Sequence, residues 1–277
     1  MKLFYFLMSL SLFSCGTENM SSFQTEDLSI SLLSSVSTDD RLDPSFIVLD
    51  RKTLNLNGHS IDFVHVPGGV AELYKCGTLN TNFERKVLKE RLDSYWISTT
   101  MMTQDIYRAV MGQNPSVNQE GRYPIHNIGY ADAVSFIGKL NDQLKKNDIE
   151  IEVSLPNDFQ WIHAVNGGQS TNFYWGDDIR EGSEFEWLDY VGDQSEKMHP
   201  VAQKKPNPYG LYDGVGHCSE FVQPLLPAHN IDGRELSAVI GLHYYEDLDM
   251  ADFFRYTSPA GRDHGPWSMT SFRLVCK

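Results

Sequence analysis

The ionisable groups best placed to do chemistry lie on one loop, residues 199–221, with the sequence HPVAQKKPNPYGLYDGVGHCSEF. Its polar groups include Asp213, His217 and Glu220. Three prolines fix backbone angles and three glycines permit tight bends, which indicates an ordered, irregular segment. Sites are commonly built on such loops when a rigid scaffold holds them. This loop is therefore the first candidate for binding or catalysis.

A second candidate combines carboxylates with aromatic rings. Its members are Tyr244, Tyr245, Glu246, Asp247 and Asp249. Aromatic side chains are frequent in the ligand-contacting parts of interfaces, so these five are predicted ligand-binding residues. An exposed acidic loop over an aromatic core explains the same pattern equally well.

The N-terminus predicts export and a lipid anchor. Residues 1–14 are a short apolar run with one positive charge, the pattern of a secretory signal peptide. Leu12, Phe13 and Ser14 precede Cys15 in the order of a bacterial lipoprotein box, which predicts lipidation of the Cys15 sulfur. An ordinary signal peptide is the alternative, but the small Ser14 favours the lipoprotein. Acyl chains would then anchor the protein to a membrane without spanning it.

Composition and charge set the remaining bounds. Residues 15–45 are rich in Ser, Thr and acidic residues and predict a flexible tether, with room for one short ordered piece. Residues 46–277 suffice for one large domain. The net charge of −14 argues against nucleic acid as a partner. Gly16 after Cys15 mildly favours the outer membrane or the cell surface.

The elements that must position the loop can be predicted coarsely. Alternation and turn residues predict three strands: residues 61–66, 95–98 and 150–155. Apolar spacing and capping residues predict three helices: residues 104–111 after the N-cap Thr103, residues 132–144, and a helix from the cap Asn157 to about residue 165. The C-terminal part is irregular and rich in Gly, Pro and aromatic residues.

The loop sequence PNPYGLYDGVGHCSEF resembles the PNxxGLYDMxGNVxEW motif of the formylglycine-generating enzyme, or sulfatase-modifying factor, family. Further segments resemble motifs of that family in the same order: residues 66–69 (VPGG), 95–98 (YWIS), 101–116, 123–141, 154–168, 174–178 (YWGDD) and 271–275 (SFRLV). Many ordered motifs make the resemblance specific, and it spans roughly residue 60 onward. It implies an α+β, C-type-lectin-like fold with much irregular loop.

The resemblance also implies chemistry. Active members of the family oxidise a substrate cysteine with copper(I) held by two cysteines spaced C-x-x-x-x-C, because soft thiolates suit that ion. The corresponding residues here, 238–262, contain no cysteine, and Tyr245 and Met250 lie near the expected positions. We therefore expect no copper, no oxidase activity and no catalytic residue. Cys76, Cys218 and Cys276 remain and can form at most one disulfide.

A calcium site on the loop is likewise implied by the resemblance. Asp213 and Glu220 match the family's side-chain ligands, and Gly216 and Cys218 match its backbone carbonyl donors. Carboxylates with carbonyls are the oxygen ligands that calcium prefers. Local capping of backbone amides by the two carboxylates is the alternative. Calcium would lock the loop and take no part in a reaction.

Three functions follow from these observations. The favoured one is a non-catalytic envelope lipoprotein that binds a protein or small-molecule ligand or serves in structural assembly. The second is a formylglycine-generating or related enzyme. The third is a diversified ligand-binding protein of the same fold. Glu246, Met250 and Trp267 do not fit the pattern of sequence variation expected of such a protein. Fold alone does not choose among them.

Overall fold

The computed structural model describes residues 30–36, 49–75, 86–188, 198–223, 237–241, 258–260 and 269–277. Within these ranges the helices are α1 (Gln104–Met111), α2 (Tyr130–Lys146), α3 (Asp158–Asn166) and a 3-10 helix (Ile179–Glu184). The strands in the same ranges are β1 (Ile30–Val36), β2 (Asp50–Leu56), β3 (His59–Val66), β4 (Gly69–Lys75), β5 (Lys86–Leu92), β6 (Tyr95–Ser98), β7 (Val153–Ser154), β8 (Ser219–Val222), β9 (Ser237–Ile240), β10 (Ser258–Ala260), β11 (Thr270–Ser271) and β12 (Val275–Cys276).

Three sheets organise these strands. The largest has the order β1-β2-β3-β6-β12-β7, and β12 pairs antiparallel with both β6 and β7. A second sheet has the order β10-β9-β8-β11, in which β11 runs parallel to β8. β4 and β5 form a separate hairpin. The candidate loop therefore enters the second sheet directly, since β8 starts at its Ser219.

Local signals explain the helix boundaries. The Thr103 side chain accepts a hydrogen bond from the Ile106 N–H, and α1 ends where Gly112 adopts a left-handed conformation. At α3, Asn157 and Gln160 form a reciprocal capping box. The predicted strand at residues 95–98, the helix at 104–111 and the cap Asn157 are confirmed.

The hydrophobic core lies between α1, α2 and the largest sheet. Phe136 on α2 stacks on Tyr107 of α1 with ring centroids 5.6 Å apart and meets Phe272 edge-on at 5.3 Å. All three rings are buried. A neighbouring cluster packs around Trp161 of α3. Burial of such rings accounts for much of the stabilisation of the scaffold that carries the loop.

The strand predicted at residues 150–155 is shorter than expected, since only Val153–Ser154 forms β7. The Asn141 side chain donates to the Val153 carbonyl and accepts from the Val153 N–H, each at 2.9 Å. Because a helix side chain takes both backbone groups, the sheet ends at this edge. An isolated sequence window does not reveal that contact.

The opposite edge of the sheet is β1, which lies within the predicted tether and pairs along its length with β2. The other residues of that tether lie outside the described ranges, and the tether stays a prediction. Of the helices that the structure describes, none is long and apolar enough to cross a membrane. The predicted signal peptide also lies outside the described ranges.

Candidate functional site

The loop is attached to α3 through Asn207, a buried residue. Its side-chain amide donates to the carbonyls of Ala164 and Val165 at 2.7 and 2.8 Å, while its oxygen accepts from the N–H groups of Tyr209 and Leu211 at 3.0 Å. Carbonyls at a helix C-terminus need partners from outside the helix. Asn207 thus fixes both the end of α3 and the bend that starts the loop.

Glu186 holds the middle of the loop from outside it. One carboxylate oxygen accepts from the N–H groups of Gly214 and Val215 at 2.8 and 2.9 Å, and the other accepts from Gly216 at 3.2 Å. The Tyr174 hydroxyl donates to the same carboxylate at 3.0 Å. Burial, followed by the nearby charge of Asp213, raises the pKa of Glu186 to about 7. Sequence analysis missed Glu186, because its partners lie far along the chain and no local motif marks it.

Glu220, one of the predicted calcium ligands, forms an ion pair with Arg273. The guanidinium Nε lies 3.0 and 2.7 Å from the two carboxylate oxygens, and Nη2 lies 2.6 Å from Oε1. Neither side chain has solvent-accessible surface. Arg273 also donates to the carbonyls of Tyr212 and Asp213 at 3.2 and 3.3 Å. Its charge inside the apolar run SFRLV was the signal that could have revealed this role.

Asp213, the other predicted side-chain ligand, is buried in the same region. Its Oδ2 accepts a hydrogen bond from the Ala202 N–H at 2.8 Å, and its Oδ1 has no hydrogen-bond partner among the described residues. Burial raises its pKa to about 6. Asp213 therefore caps a backbone amide, which is the alternative that the sequence left open for the two carboxylates.

The donor set fits calcium poorly. Arg273 contacts both oxygens of Glu220, and the Gly216 carbonyl accepts from the Cys218 N–H at 3.0 Å. Among the residues that the structure describes, no group of three or more His, Cys, Asp or Glu side chains is arranged to hold a metal ion. A calcium ion would have to displace Arg273 to reach Glu220. Calcium at this loop stays a prediction, and the contacts favour an ion-paired core.

His217 is a neutral, buried imidazole. Its Nε2 accepts from the His199 N–H at 3.1 Å, so the ring proton lies on Nδ1, 3.9 Å from Asp213 Oδ1. Burial lowers its pKa to about 3. The His199 ring stacks on Trp187 with centroids 3.6 Å apart. Both histidines order the loop through these contacts, and His217 does so as a neutral ring near neutral pH.

The two described cysteines are separate, buried thiols. Cys218 packs beside Met198 with the sulfur atoms 3.9 Å apart, whereas Cys276 lies on β12 of the largest sheet, in the main core. Neither forms a disulfide. Burial raises the pKa of both thiols, that of Cys276 to about 11. A thiol with a raised pKa is a weak nucleophile and a weak metal ligand at neutral pH.

A polar cleft of about 670 Å³ opens beside the loop. Thr99, Thr100 and Tyr212 form part of its wall, with Arg51 and Asp105 among its charged residues. Its volume lies in the range typical of small-molecule sites. Both signs of charge line it, which suits a polar ligand.

Several predicted residues lie outside the described ranges. They are Cys15, Cys76, Tyr244, Tyr245, Glu246, Asp247 and Asp249. Lipidation and the acidic, aromatic ligand surface therefore stay predictions. The acidic pair that follows Trp175 is described: Asp177 accepts from the Asn172 N–H at 2.8 Å, and Asp178 caps the 3-10 helix. Both carboxylates stabilise local backbone structure.

Residues 54–276 match the family model described as the sulfatase-modifying factor enzyme 1-like domain. The chain belongs to this family. The match covers the loop, its anchor Asn207 and the Glu220–Arg273 pair, so these contacts are internal to a sulfatase-modifying factor domain. A comparison with curated protein sequences gave no significant match.

Solved structures confirm the α+β fold of this sulfatase-modifying factor domain. Treponema denticola variable protein 1 is similar with a TM-score of 0.65 and 21% identity, over 82% of this chain and 98% of its own. PvdO from Pseudomonas aeruginosa gives 0.62 and 18%, over 78% and 94%. CarF gives 0.56 and 21%, over 78% and 97%. At these identities the likeness concerns the fold and leaves function open.

Proposed function

We propose that this chain is a lipid-anchored protein of the bacterial cell envelope whose sulfatase-modifying factor domain binds a ligand and does not oxidise cysteine. The observation that carries this proposal is the state of Cys218 and Cys276. Both thiols are buried, protonated at neutral pH and located in different parts of the core. A copper(I) site needs thiolates or comparable soft ligands that converge on one point.

A binding role is supported by the way the loop uses its charged groups. Glu186, Glu220 and Arg273 make internal contacts that fix the backbone of the loop. The cleft of about 670 Å³ beside the loop has a polar lining. A rigid loop beside a preformed cleft suits recognition of a small molecule. The segment from Tyr244 to Asp249 remains the proposed surface for a protein ligand. Cys15 would hold both surfaces at the membrane.

The experiment is a copper(I) titration of the detergent-solubilised chain beside an oxidation assay on a cysteine-containing peptide. We expect no tight copper binding and no formylglycine product. Tight binding with turnover would show that the domain is an oxidase. Labelling cells with a radioactive fatty acid tests the anchor, since the label should appear on the wild-type chain and be lost in Cys15→Ser.

A further inference from the structure

The polar cleft of about 670 Å³ beside the loop is lined by two arginines and two aspartates, Arg51, Arg122, Asp62 and Asp105. The chain as a whole carries a net charge of −14, so the arginines do not belong to a generally basic surface. Which of these four charges already has a partner of opposite sign within the protein decides what charge a ligand should bring.

The two aspartates differ in this respect. Asp105 pairs with Arg108 on α1, with Oδ1 and Nη1 3.5 Å apart. Asp62 accepts a hydrogen bond from the Thr53 hydroxyl at 2.7 Å, and a hydroxyl does not offset its charge. The cleft therefore keeps one negative charge, at Asp62, that forms no ion pair among the described residues.

Neither arginine of the cleft forms an ion pair with a carboxylate of the described residues. Arg122 is exposed, whereas Arg51 on β2 is partly buried. A Cβ on Gly210 would lie 2.6 Å from Arg51 Nη2, so the guanidinium packs against the glycine backbone and loses water on that side. A partly buried charge without a counter-ion is unfavourable, and an anion bound in the cleft would relieve this cost.

The wall next to these charges is held in place by the protein itself. Ala202 lines the cleft with a φ of 59°, a left-handed conformation that alanine seldom adopts. Its N–H donates to Asp213 Oδ2 at 2.8 Å, and the neighbouring Val201 N–H donates to the Arg122 carbonyl at 3.0 Å. Backbone strain of this kind persists only where surrounding contacts enforce it, and it is common at ligand sites.

The N-terminus of α1 also reaches the cleft, but its first N–H groups already have partners. Those of Gln104 and Asp105 donate to backbone carbonyls of residues 121–123 at 2.9 and 3.0 Å. The Ile106 N–H donates to the Thr103 hydroxyl at 3.5 Å. Because a helix N-terminus binds anions through free N–H groups, the arginine side chains are left to hold one.

We propose that this cleft binds a small polar organic acid with a single negative charge, whose carboxylate pairs with the Arg51 guanidinium. Arginine recognises a carboxylate through its planar fork of N–H donors. The unpaired charges of the lining are those of Arg51, Arg122 and Asp62, so one carboxylate balances them. A dianion would bring a second negative charge toward Asp62 and fits less well.

This inference rests on the proposed function in one respect, namely that the cleft is a small-molecule site. The copper titration and the fatty-acid labelling concern other parts of the chain. A failure of either proposal can therefore be told from a failure of the other.

The test is an NMR titration of the full chain, labelled with ¹⁵N-alanine, in a non-ionic detergent at constant ionic strength. The Ala202 amide lines the cleft and is identified by the signal that Ala202→Gly removes. Sodium glycolate should shift this signal saturably, whereas glycolamide, its neutral analogue, should not. We expect a dissociation constant in the millimolar range, because so small a ligand makes few contacts. Sodium sulfate, a dianion, should bind more weakly than glycolate.

Four variants locate the binding. Arg51→Met should weaken it about tenfold or more, the effect of losing hydrogen bonds to a charged group. Arg122→Met should weaken it about threefold, because an exposed ion pair is worth less. Asp62→Asn should bring the affinity for sulfate closer to that for glycolate, since it removes the repelling charge. Arg91→Met is the matched control: Arg91 is exposed, forms no ion pair among the described residues and does not line the cleft.

A glycolate shift that glycolamide reproduces, or no saturable shift with glycolate, would overturn the proposal. So would glycolate binding that survives Arg51→Met. If sulfate binds more tightly than glycolate, the ligand class is wrong. Should Arg51→Met fail to fold, the comparison of glycolate with glycolamide and the Arg122→Met titration still decide the matter.

Discussion

Removing the Arg273 side chain should strongly destabilise the domain. In Arg273→Met, Glu220 would lose three charge-assisted contacts of 2.6 to 3.0 Å while remaining without access to solvent. Breaking a buried ion pair on one side costs about 3–5 kcal/mol. We expect the free energy of unfolding to fall by about 3 kcal/mol, at the low end of that range. Nη1 of Arg273 is buried without a partner among the described residues, so removing the side chain also removes the cost of this unsatisfied group. The total free energy of unfolding of an ordinary domain is only about 5–15 kcal/mol.

The assay is urea denaturation followed by fluorescence, from which the free energy of unfolding is extrapolated. Arg180→Met is the matched control: the Arg180–Asp178 pair is 2.5 Å long, close to the 2.6 Å of the buried pair, but it lies at the surface. Its loss should leave the midpoint unchanged. The double variant Arg273→Met/Glu220→Gln should recover much of the loss, since it no longer buries an unpaired charge.

Two outcomes would refute this reasoning. One is an Arg273→Met midpoint equal to that of the wild type, which would mean that Glu220 has another partner. The other is a rise of the wild-type midpoint in millimolar calcium that a chelator reverses. That result would establish the calcium site predicted at Asp213 and Glu220 in place of the ion pair.

Three further predictions concern the same scaffold. The pKa of Glu186 is raised to about 7, so the folded state binds more protons than the unfolded state between about pH 4 and pH 7. The contribution of Glu186 to stability should therefore fall as pH rises through that window. Melting curves of Glu186→Gln should show a weaker pH dependence than those of the wild type. Gly216→Ala should lower the free energy of unfolding by about 1–3 kcal/mol, because the added Cβ would lie 2.6 Å from the carbonyl oxygen of Trp187. Gly138→Ala should not lower it, because nothing lies within 4 Å of a Cβ there. Cys218 and Cys276 should resist alkylation in the native protein at pH 8 and react in urea, as peptide mapping would show; labelling of either in the folded chain would contradict the burial described.

Local signals in the sequence predicted the local structure well. Thr103 and Asn157 mark the starts of two helices through bonds to residues three positions further on, and each lies where it was predicted. The loop was also correctly predicted as ordered. Its order has a cause that spacing does not show, namely Asn207 and the carboxylate of Glu186.

The partners of the loop's charged groups could not be predicted in the same way. Glu220 and Arg273 are 53 residues apart in sequence, and Glu186 lies 28 to 30 residues before the amides that it binds. The resemblance placed Asp213 and Glu220 correctly on one loop and assigned them to calcium. Choosing between a cation and Arg273 requires the packing of the final strands, which is a tertiary property.

The position of β12 has a consequence for how this domain folds. β12 joins β6 to β7 inside the largest sheet, and the Leu274 N–H donates to the Ser98 hydroxyl across 176 residues of sequence. Contacts of such long range are formed late, because the chain must close a large loop before they give any stability. Until β12 arrives, β6 is an open sheet edge and β7 lacks its partner strand. An open edge is the kind of surface that pairs with other chains. Refolding should therefore be slow and sensitive to protein concentration, and the risk of aggregation should end at the step in which β12 inserts.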